Sequence, residues 1–391
     1  MCIRDRGYYT QMKNVSDVKD CFGCGVCAAA CPKTTISIKL NKNGFYEPQV
    51  DESRCIDCAI CRNVCSFINP GLSLENPKTA SYASWSNDDN IRQQASSGGV
   101  GFEIGRYLIG KGYKACGVRY NVEKRRAEHY IADNIEDYKA SIGSKYIQSY
   151  TFEAFKAINL KEKYLVTGTP CQIDSFRRYV RKFRKEDNFV LVDFFCHGVP
   201  SMWMWYNYLH INQPKVDGLR SVTWRNKRTG WHDSYAMNLQ GKTEEVYSLM
   251  SKGDLFYRLF LGDWCMNPAC VKDCKFKYKA SSADIRIGDL WGNTYKDDEK
   301  GVSAAIAFTE KGTQILRELE RCTLRSHPFE VVAEGQMKQN AGNALLYPVI
   351  KALLNRNQKH SQKTWDMLTK VQFYLSIPSI LKYKIKQKLG K

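Results

Sequence analysis

The sequence predicts an α+β protein in three parts: a small, internally duplicated N-terminal domain, a larger α/β domain behind it, and a basic helical C-terminal tail. Three observations carry this. Two cysteine quartets of identical spacing, Cys21, Cys24, Cys27, Cys31 and Cys55, Cys58, Cys61, Cys65, repeat near the N-terminus. Two short apolar runs, Tyr164-Leu165-Val166 and residues 189–195, each lead into a turn that carries a cysteine. That is the pattern of buried strands feeding a crevice at their ends. The formal charge of +19 is also uneven, with ten Lys/Arg against one acidic residue over residues 351–391.

The quartets come first. C-x2-C-x2-C-x3-C, written twice, is the spacing of a bacterial-type ferredoxin domain with two 4Fe–4S clusters. Three close thiolates take one face of a cubane, and the fourth ligand comes from the other run. This assigns Cys21, Cys24, Cys27 and Cys65 to one cluster, and Cys55, Cys58, Cys61 and Cys31 to the other. Structural zinc uses two C-x2-C knuckles rather than two runs of four. A disulfide framework suits a small secreted domain. Ser66 follows Cys65 where Pro32 follows Cys31, but the residue at this turn is not a ligand. The module spans 15–69, with strand-like alternation at Ile36-Ser37-Ile38 and a hairpin signal at Asn43-Gly44. Residues 1–12 read as non-native or unstructured: Met1 to Arg6, Cys2 included, look like translated read-through at a fragment end. Pro70, Gly71 and Pro77 mark 70–79 as a linker.

A chain of 391 residues, 43% hydrophobic, is long enough for two or three domains with a real core. No apolar run reaches the roughly 18–20 residues of a membrane span, and no secretory leader opens the chain. With cluster assembly and reduced thiols, this points to the cytoplasm. The basic tail, from Phe373-Tyr374-Leu375 to Lys391, suits docking to an acidic redox partner or an anionic surface. Its alternative is a solvated helix. No nucleic-acid-binding motif accompanies it.

Behind the linker, Ala95-Ser96-Ser97-Gly98-Gly99-Val100 opens a helix-like stretch, where free amides and the helix dipole favour an anion. No G-x-G-x-x-G fingerprint is present, so a Rossmann dinucleotide site has little support. Gly143-Ser144-Lys145-Tyr146 is a second loop with hydroxyl and cation. The first buried run enters Gly168-Thr169-Pro170-Cys171-Gln172, and the second enters Cys196-His197-Gly198-Val199-Pro200-Ser201. Cys265, Cys270 and Cys274 precede Asp284-Ile285-Arg286-Ile287-Gly288-Asp289-Leu290-Trp291-Gly292, a strand and its terminating turn. Cys116 and Cys322 read as buried fillers, and Trp203, Trp205, Tyr206 and Tyr208 as core aromatics.

In this order the five motifs over residues 80–315 resemble the family of coenzyme F420 hydrogenase/dehydrogenase beta subunits, in which a ferredoxin module in front is a common arrangement. The resemblance implies an α/β flavin-binding domain in two parts, 80–150 and 151–315, with the helical basic tail over 316–391. It implies FAD held by Ser96, Ser97, Gly98, Gly99, Ser144 and Lys145. It also implies a third 4Fe–4S cluster on Cys171, Cys196, Cys270 and Cys274. The last pair is spaced C-x3-C here, against an expected C-x2-C, and Cys265 stands close enough in sequence to substitute.

The expected activity is that of an oxidoreductase. A two-electron small molecule, reduced coenzyme F420 or a related organic substrate, exchanges electrons at the flavin, and the clusters carry them singly to or from a redox partner protein. That partner is a ferredoxin or another protein of an oxidoreductase complex. His129 or His197 would supply a proton, and a homo-oligomer is compatible with the sequence. Two alternatives stand beside it: a ferredoxin-dependent reductase of a conjugated organic substrate, and an electron-relay subunit with no substrate of its own.

Overall fold

The computed structural model describes residues 12–73 and 79–388. The expectations for Met1 to Arg6, Cys2, residues 74–78 of the linker and the last residues of the tail lie outside them. The N-terminal module carries one hairpin, β1 (Ile36–Leu40) and β2 (Tyr46–Val50), paired antiparallel from Ile36↔Val50 to Leu40↔Tyr46. The expected Asn43-Gly44 turn closes it. Asn41 Oδ1 accepts from the amides of Asn43 and Phe45, and Gly44 sits at φ +81°. Short helices Val26–Ala29 and Ile60–Asn63 follow equivalent points of the two quartets, as the duplication requires.

The larger part is built on one mixed sheet. Its strands are β3 (Ala80–Ser86), β4 (Lys114–Asn121), β5 (Arg126–Ala132), β6 (Tyr164–Thr167) and β7 (Phe189–Phe194). A separate three-stranded meander, β8 (Ser221–Thr223), β9 (Ala236–Gln240) and β10 (Glu245–Leu249), interrupts the series. The main sheet then resumes with β11 (Ile285–Asp289), β12 (Ser303–Ala307) and β13 (Cys322–Ser326). The eight strands lie in the order β13-β3-β12-β11-β7-β6-β4-β5. β11, β7, β6 and β4 run parallel, while β12, β3 and β13 on one side and β5 on the other are paired antiparallel.

The two apolar runs of the sequence are therefore the adjacent parallel strands β6 and β7. They are buried from Tyr164 to Val166 and from Phe189 to Asp193, which is why they read as continuous rather than alternating. The carboxyl ends of β6, β7 and β11 lie side by side, the position where open α/β sheets bind ligands.

Both parts of the expected flavin domain, before and after residue 150, contribute to this single sheet. The sheet also runs past residue 315. β13 pairs with β3 from Cys322↔Ser86 to Ser326↔Tyr82, so the region expected as helical tail is still sheet edge at this point. The helical tail forms later, in two helices, Tyr347–Leu354 and Gln362–Lys388. Trp365 and Leu368 anchor the last helix in the core, whereas Met367, Val371, Phe373, Tyr374 and Leu375 are exposed. Among the described residues no helix is long and apolar enough to cross a membrane.

A buried ion pair ties β7 to β11. Arg286 donates from Nε and Nη2 to both carboxylate oxygens of Asp193, each at 2.7 Å, with both side chains out of contact with solvent. Asp284 accepts the Leu191 amide and the Thr309 hydroxyl. The Asp-Ile-Arg-Ile stretch is thus a strand whose polar residues have internal partners.

Candidate functional site

The N-terminal module is pinned to the large domain by its own backbone carbonyls. Thr151 Oγ1 donates to Cys24 O at 2.9 Å, Asn267 Nδ2 to Cys21 O at 3.0 Å and Gln148 Nε2 to Phe22 O at 3.1 Å. Gly25 is held at φ +72°, and a Cβ there would collide with Thr151 Oγ1. The glycines between the first cysteines are therefore required both by the turn and by the approach of the second domain.

Cys21, Cys24, Cys27, Cys31, Cys61 and Cys65 are buried, Cys55 is half-buried and Cys58 is exposed; none forms a disulfide. The thiols fall into two groups by the charges they feel. Cys21, Cys24 and Cys27 each sense Cys65, while Cys61 senses Cys58 and Cys31; Cys27 also senses Cys61, where the two groups adjoin. Desolvation dominates. It pushes the Cys24 and Cys61 thiols up to about 11, with neighbouring thiolates adding to the rise. Cys31 runs the other way. Burial raises it, but hydrogen bonds from Thr35 and from the amides of Lys33 and Thr34 hold it below the ordinary thiol range. So many buried sulfurs with unfavourable ionisation suit a cationic iron–sulfur core, whose charge offsets their desolvation. Among the described residues no three or more His, Cys, Asp or Glu side chains converge on one metal ion. Thiolates that each hold a different corner of a cubane have no need to.

Cys171, Cys196, Cys270 and Cys274 form a further group beside the first. Cys171 feels Cys270, Cys196 and also Cys24; Cys196 and Cys270 each feel Cys274. The Gly-Thr-Pro-Cys-Gln motif builds this corner as a helix start. Pro170 opens the helix Pro170–Lys182, Gln172 Oε1 accepts the Thr169 amide at 2.8 Å, and Cys171 lies in the first turn. Cys265, expected as a possible substitute, is elsewhere: it packs in the aromatic core and bonds Ser201. The C-x3-C spacing is therefore no obstacle to bringing Cys270 and Cys274 together with the other two. Phe22, Ala269 and Phe276 fill the seam between the groups, packed against Phe67, Cys171 and Cys274.

A cavity of about 380 Å³ opens at the strand ends, and its lining includes Ser96, Ser97, Gly99, Ser144, Lys145 and Cys196. The two anion-binding loops of the sequence are thus one wall: the Ser144 amide donates to Ser96 Oγ at 2.8 Å. Gly98, expected at the cofactor, is not on the cavity surface. It is wedged into the sheet, where a Cβ would strike Ser84 O and the Ser303 amide. Gly99, at φ +90°, caps the helix Val100–Gly110. Lys145 donates to the carbonyls of Ile142 and Gly143, both at 3.0 Å, and desolvation lowers it to about 7. No carboxylate pairs with it among the described residues.

His197 lines the cavity and bonds Asp263 Oδ1 through Nε2 at 2.7 Å. His129 does not line it. Its Nε2 bonds Thr167 O at 3.0 Å, its ring packs on Phe155, and burial lowers it to about 4. It is a neutral structural histidine. Trp205 and Tyr208 are core residues, as their composition suggested.

Sequence reasoning missed three contributors. Arg225 makes a bidentate pair with Asp289, the acid of the Gly-Asp-Leu-Trp-Gly turn, at 3.0 and 3.1 Å. Tyr235 packs 6.0 Å from Tyr146 on the cavity wall. Lys227 donates to the carbonyls of Arg92, Ser97 and Lys300, holding the Ser-Ser-Gly-Gly loop from behind. An arginine in the meander signals its partner only once the fold is known.

Two regions of the chain match known families. Residues 161–329 match the model of the C-terminal region of coenzyme F420 hydrogenase/dehydrogenase beta subunits, and residues 20–68 match a 4Fe-4S dicluster domain. Over residues 161–329 the chain resembles the beta subunits of coenzyme F420 hydrogenases and dehydrogenases. It is an iron–sulfur protein of oxidoreductase lineage. The beta-subunit-like chain is 25% identical over 186 residues to the F subunit of F420H2 dehydrogenase from Methanosarcina mazei, a match covering 45% of this chain. It spans 53% of that relative's length. A xenon-derivatised F420-reducing NiFe hydrogenase complex from Methanosarcina barkeri aligns over 73% of this chain and 90% of the solved one. The identity is 18% and the TM-score 0.44.

Proposed function

We propose that the chain is an iron–sulfur flavoprotein subunit that moves electrons between a two-electron small molecule, coenzyme F420 or a related organic substrate, and a redox partner protein. The observation that carries this is continuity. The cavity that holds Lys145 and both hydroxyl loops also exposes Cys196, whose group reaches Cys24 of the N-terminal module through Cys171.

In this reading Ser96, Ser97, Gly99, Ser144 and Lys145 would hold FAD, Lys145 supplying positive charge to the wall. Bound there, the flavin supplies the exchange between paired and single electrons. The remaining work belongs to the chain. Tyr146, Tyr235 and Phe260 keep water from the cavity wall, and His197, oriented by Asp263, holds a proton at its ring nitrogen. Cys171, Cys196, Cys270 and Cys274 carry a third cluster, and the two quartets carry two more in the pairing given by their spacing. The exposed Cys58 places the outermost cluster where a partner can reach it, and the basic last helix adds steering toward an acidic one.

Anaerobic mixing tests the reading. Reduced coenzyme F420 bleaches the flavin of the reconstituted chain. If it leaves the flavin oxidised while reduced ferredoxin bleaches it, the chain is instead a ferredoxin-driven reductase. A preparation with clusters and no releasable flavin makes it a relay.

A further inference from the structure

Ser66 stands where the first quartet has proline, and its surroundings give the exchange a purpose. Its amide donates to Ser175 Oγ at 3.0 Å, and its own hydroxyl donates to Cys171 O at 3.0 Å. Ser175 Oγ lies 3.3 Å from Cys24 Sγ. Both serines are shielded from solvent. A hydroxyl has one proton to give. With Ser175 Oγ already accepting from Ser66, and a cluster-bound Cys24 thiolate able only to accept, the Ser175 proton is directed at Cys24 sulfur. A proline at 66 could make neither bond.

We propose that Ser66 and Ser175 form a positioning pair that aims one hydrogen bond at the Cys24 thiolate and so raises the reduction potential of the cluster held by Cys21, Cys24, Cys27 and Cys65. The physical reason is charge. Reduction adds an electron to the cluster, so a donor to sulfur stabilises the reduced form more than the oxidised one. The cluster on Cys55, Cys58, Cys61 and Cys31 has its own sulfur contacts, Thr35 Oγ1 at 3.3 Å from Cys31 and Asn14 Nδ2 at 3.6 Å from Cys55, but Pro32 at the equivalent turn makes no amide bond of the Ser66 kind. The pair also sits at the junction with the Cys171 group, so the raised potential falls on the cluster that would receive electrons from the cavity side. The inference rests on the two-cluster reading of the quartets.

The experiment is an EPR-monitored redox titration of the full chain purified without oxygen. Ser175→Ala makes one cluster about tenfold harder to reduce, a fall of about 59 mV for one electron, and leaves the other unchanged. Ser175→Thr, which keeps the hydroxyl, restores the wild-type value. Ser66→Ala keeps the amide and shifts nothing, whereas Ser66→Pro shifts the same cluster as Ser175→Ala. This second comparison decides the matter alone if Ser175→Ala fails to assemble. Wild-type potentials in Ser175→Ala, or equal shifts in Ser66→Ala and Ser66→Pro, overturn the proposal while the cluster reading stands. A wild-type chain without iron removes both.

Discussion

Asp193→Ala is the substitution whose cost follows most directly from the geometry. It removes both carboxylate oxygens from Arg286, a guanidinium with no solvent contact. Arg286 would keep its bonds to Tyr278 O at 2.7 Å and Ala280 O at 3.0 Å, but these are neutral acceptors. The Ser281 hydroxyl, which donates to Asp193 at 2.7 Å, also loses its acceptor. Stripping one partner from a buried pair costs about 3–5 kcal/mol, because the remaining charge has no compensation. The pair joins the two parallel strands that end at Cys196 and Asp289, so the loss should also loosen the cavity floor.

Urea unfolding under anaerobic conditions, compared at equal slope, reads the cost as a lower midpoint. Asp193→Leu combined with Arg286→Met removes both charges and should recover at least half of it. A single-substitution cost below about 1 kcal/mol, or a double variant as damaged as the single, would refute the reasoning.

Two further predictions concern protons. With Lys145 lowered to about 7 at the cavity wall, an anionic cofactor must draw a proton onto it at higher pH. Flavin affinity should therefore be flat below pH 7 and fall by up to about tenfold per unit above it, until the bound-state pKa is passed. Lys145→Met should weaken binding and flatten the profile in equilibrium dialysis. His129, lowered to about 4 by burial, is neutral in the folded chain and takes up its proton only on unfolding through the range from about 6.5 down to 4. Its share of stability, roughly 3 kcal/mol, is complete above 6.5 and is lost as pH falls toward 4. His129→Gln should make the acid branch of a stability–pH curve shallower.

Much of the site could be read from local spacing, because spacing is what a cluster or a helix start constrains. The eight N-terminal cysteines, the Thr-Pro-Cys-Gln turn and the two buried strands are all local features. Gly98 shows the limit. In the sequence it looks like part of an anion loop, but Ser84 and Ser303, far apart in the chain, decide that it packs into the sheet instead. β13 misled for a similar reason: a five-residue edge strand pairing with β3 carries little periodicity. Cys265 lay close to Cys270 in sequence, but the turn between them sends it into the aromatic core. Arg225 and Ser175 act through partners contributed by distant segments, and nothing in their neighbours announces it.

The central claim is a continuous line of iron–sulfur sites from the cavity to the surface. Iron and sulfide analysis of the anaerobically purified full chain, beside its Cys171→Ala variant, tests it most directly. The account predicts about twelve iron atoms per chain, falling to about eight in the variant. Zinc in place of iron, or an iron content that Cys171→Ala leaves untouched, would contradict it.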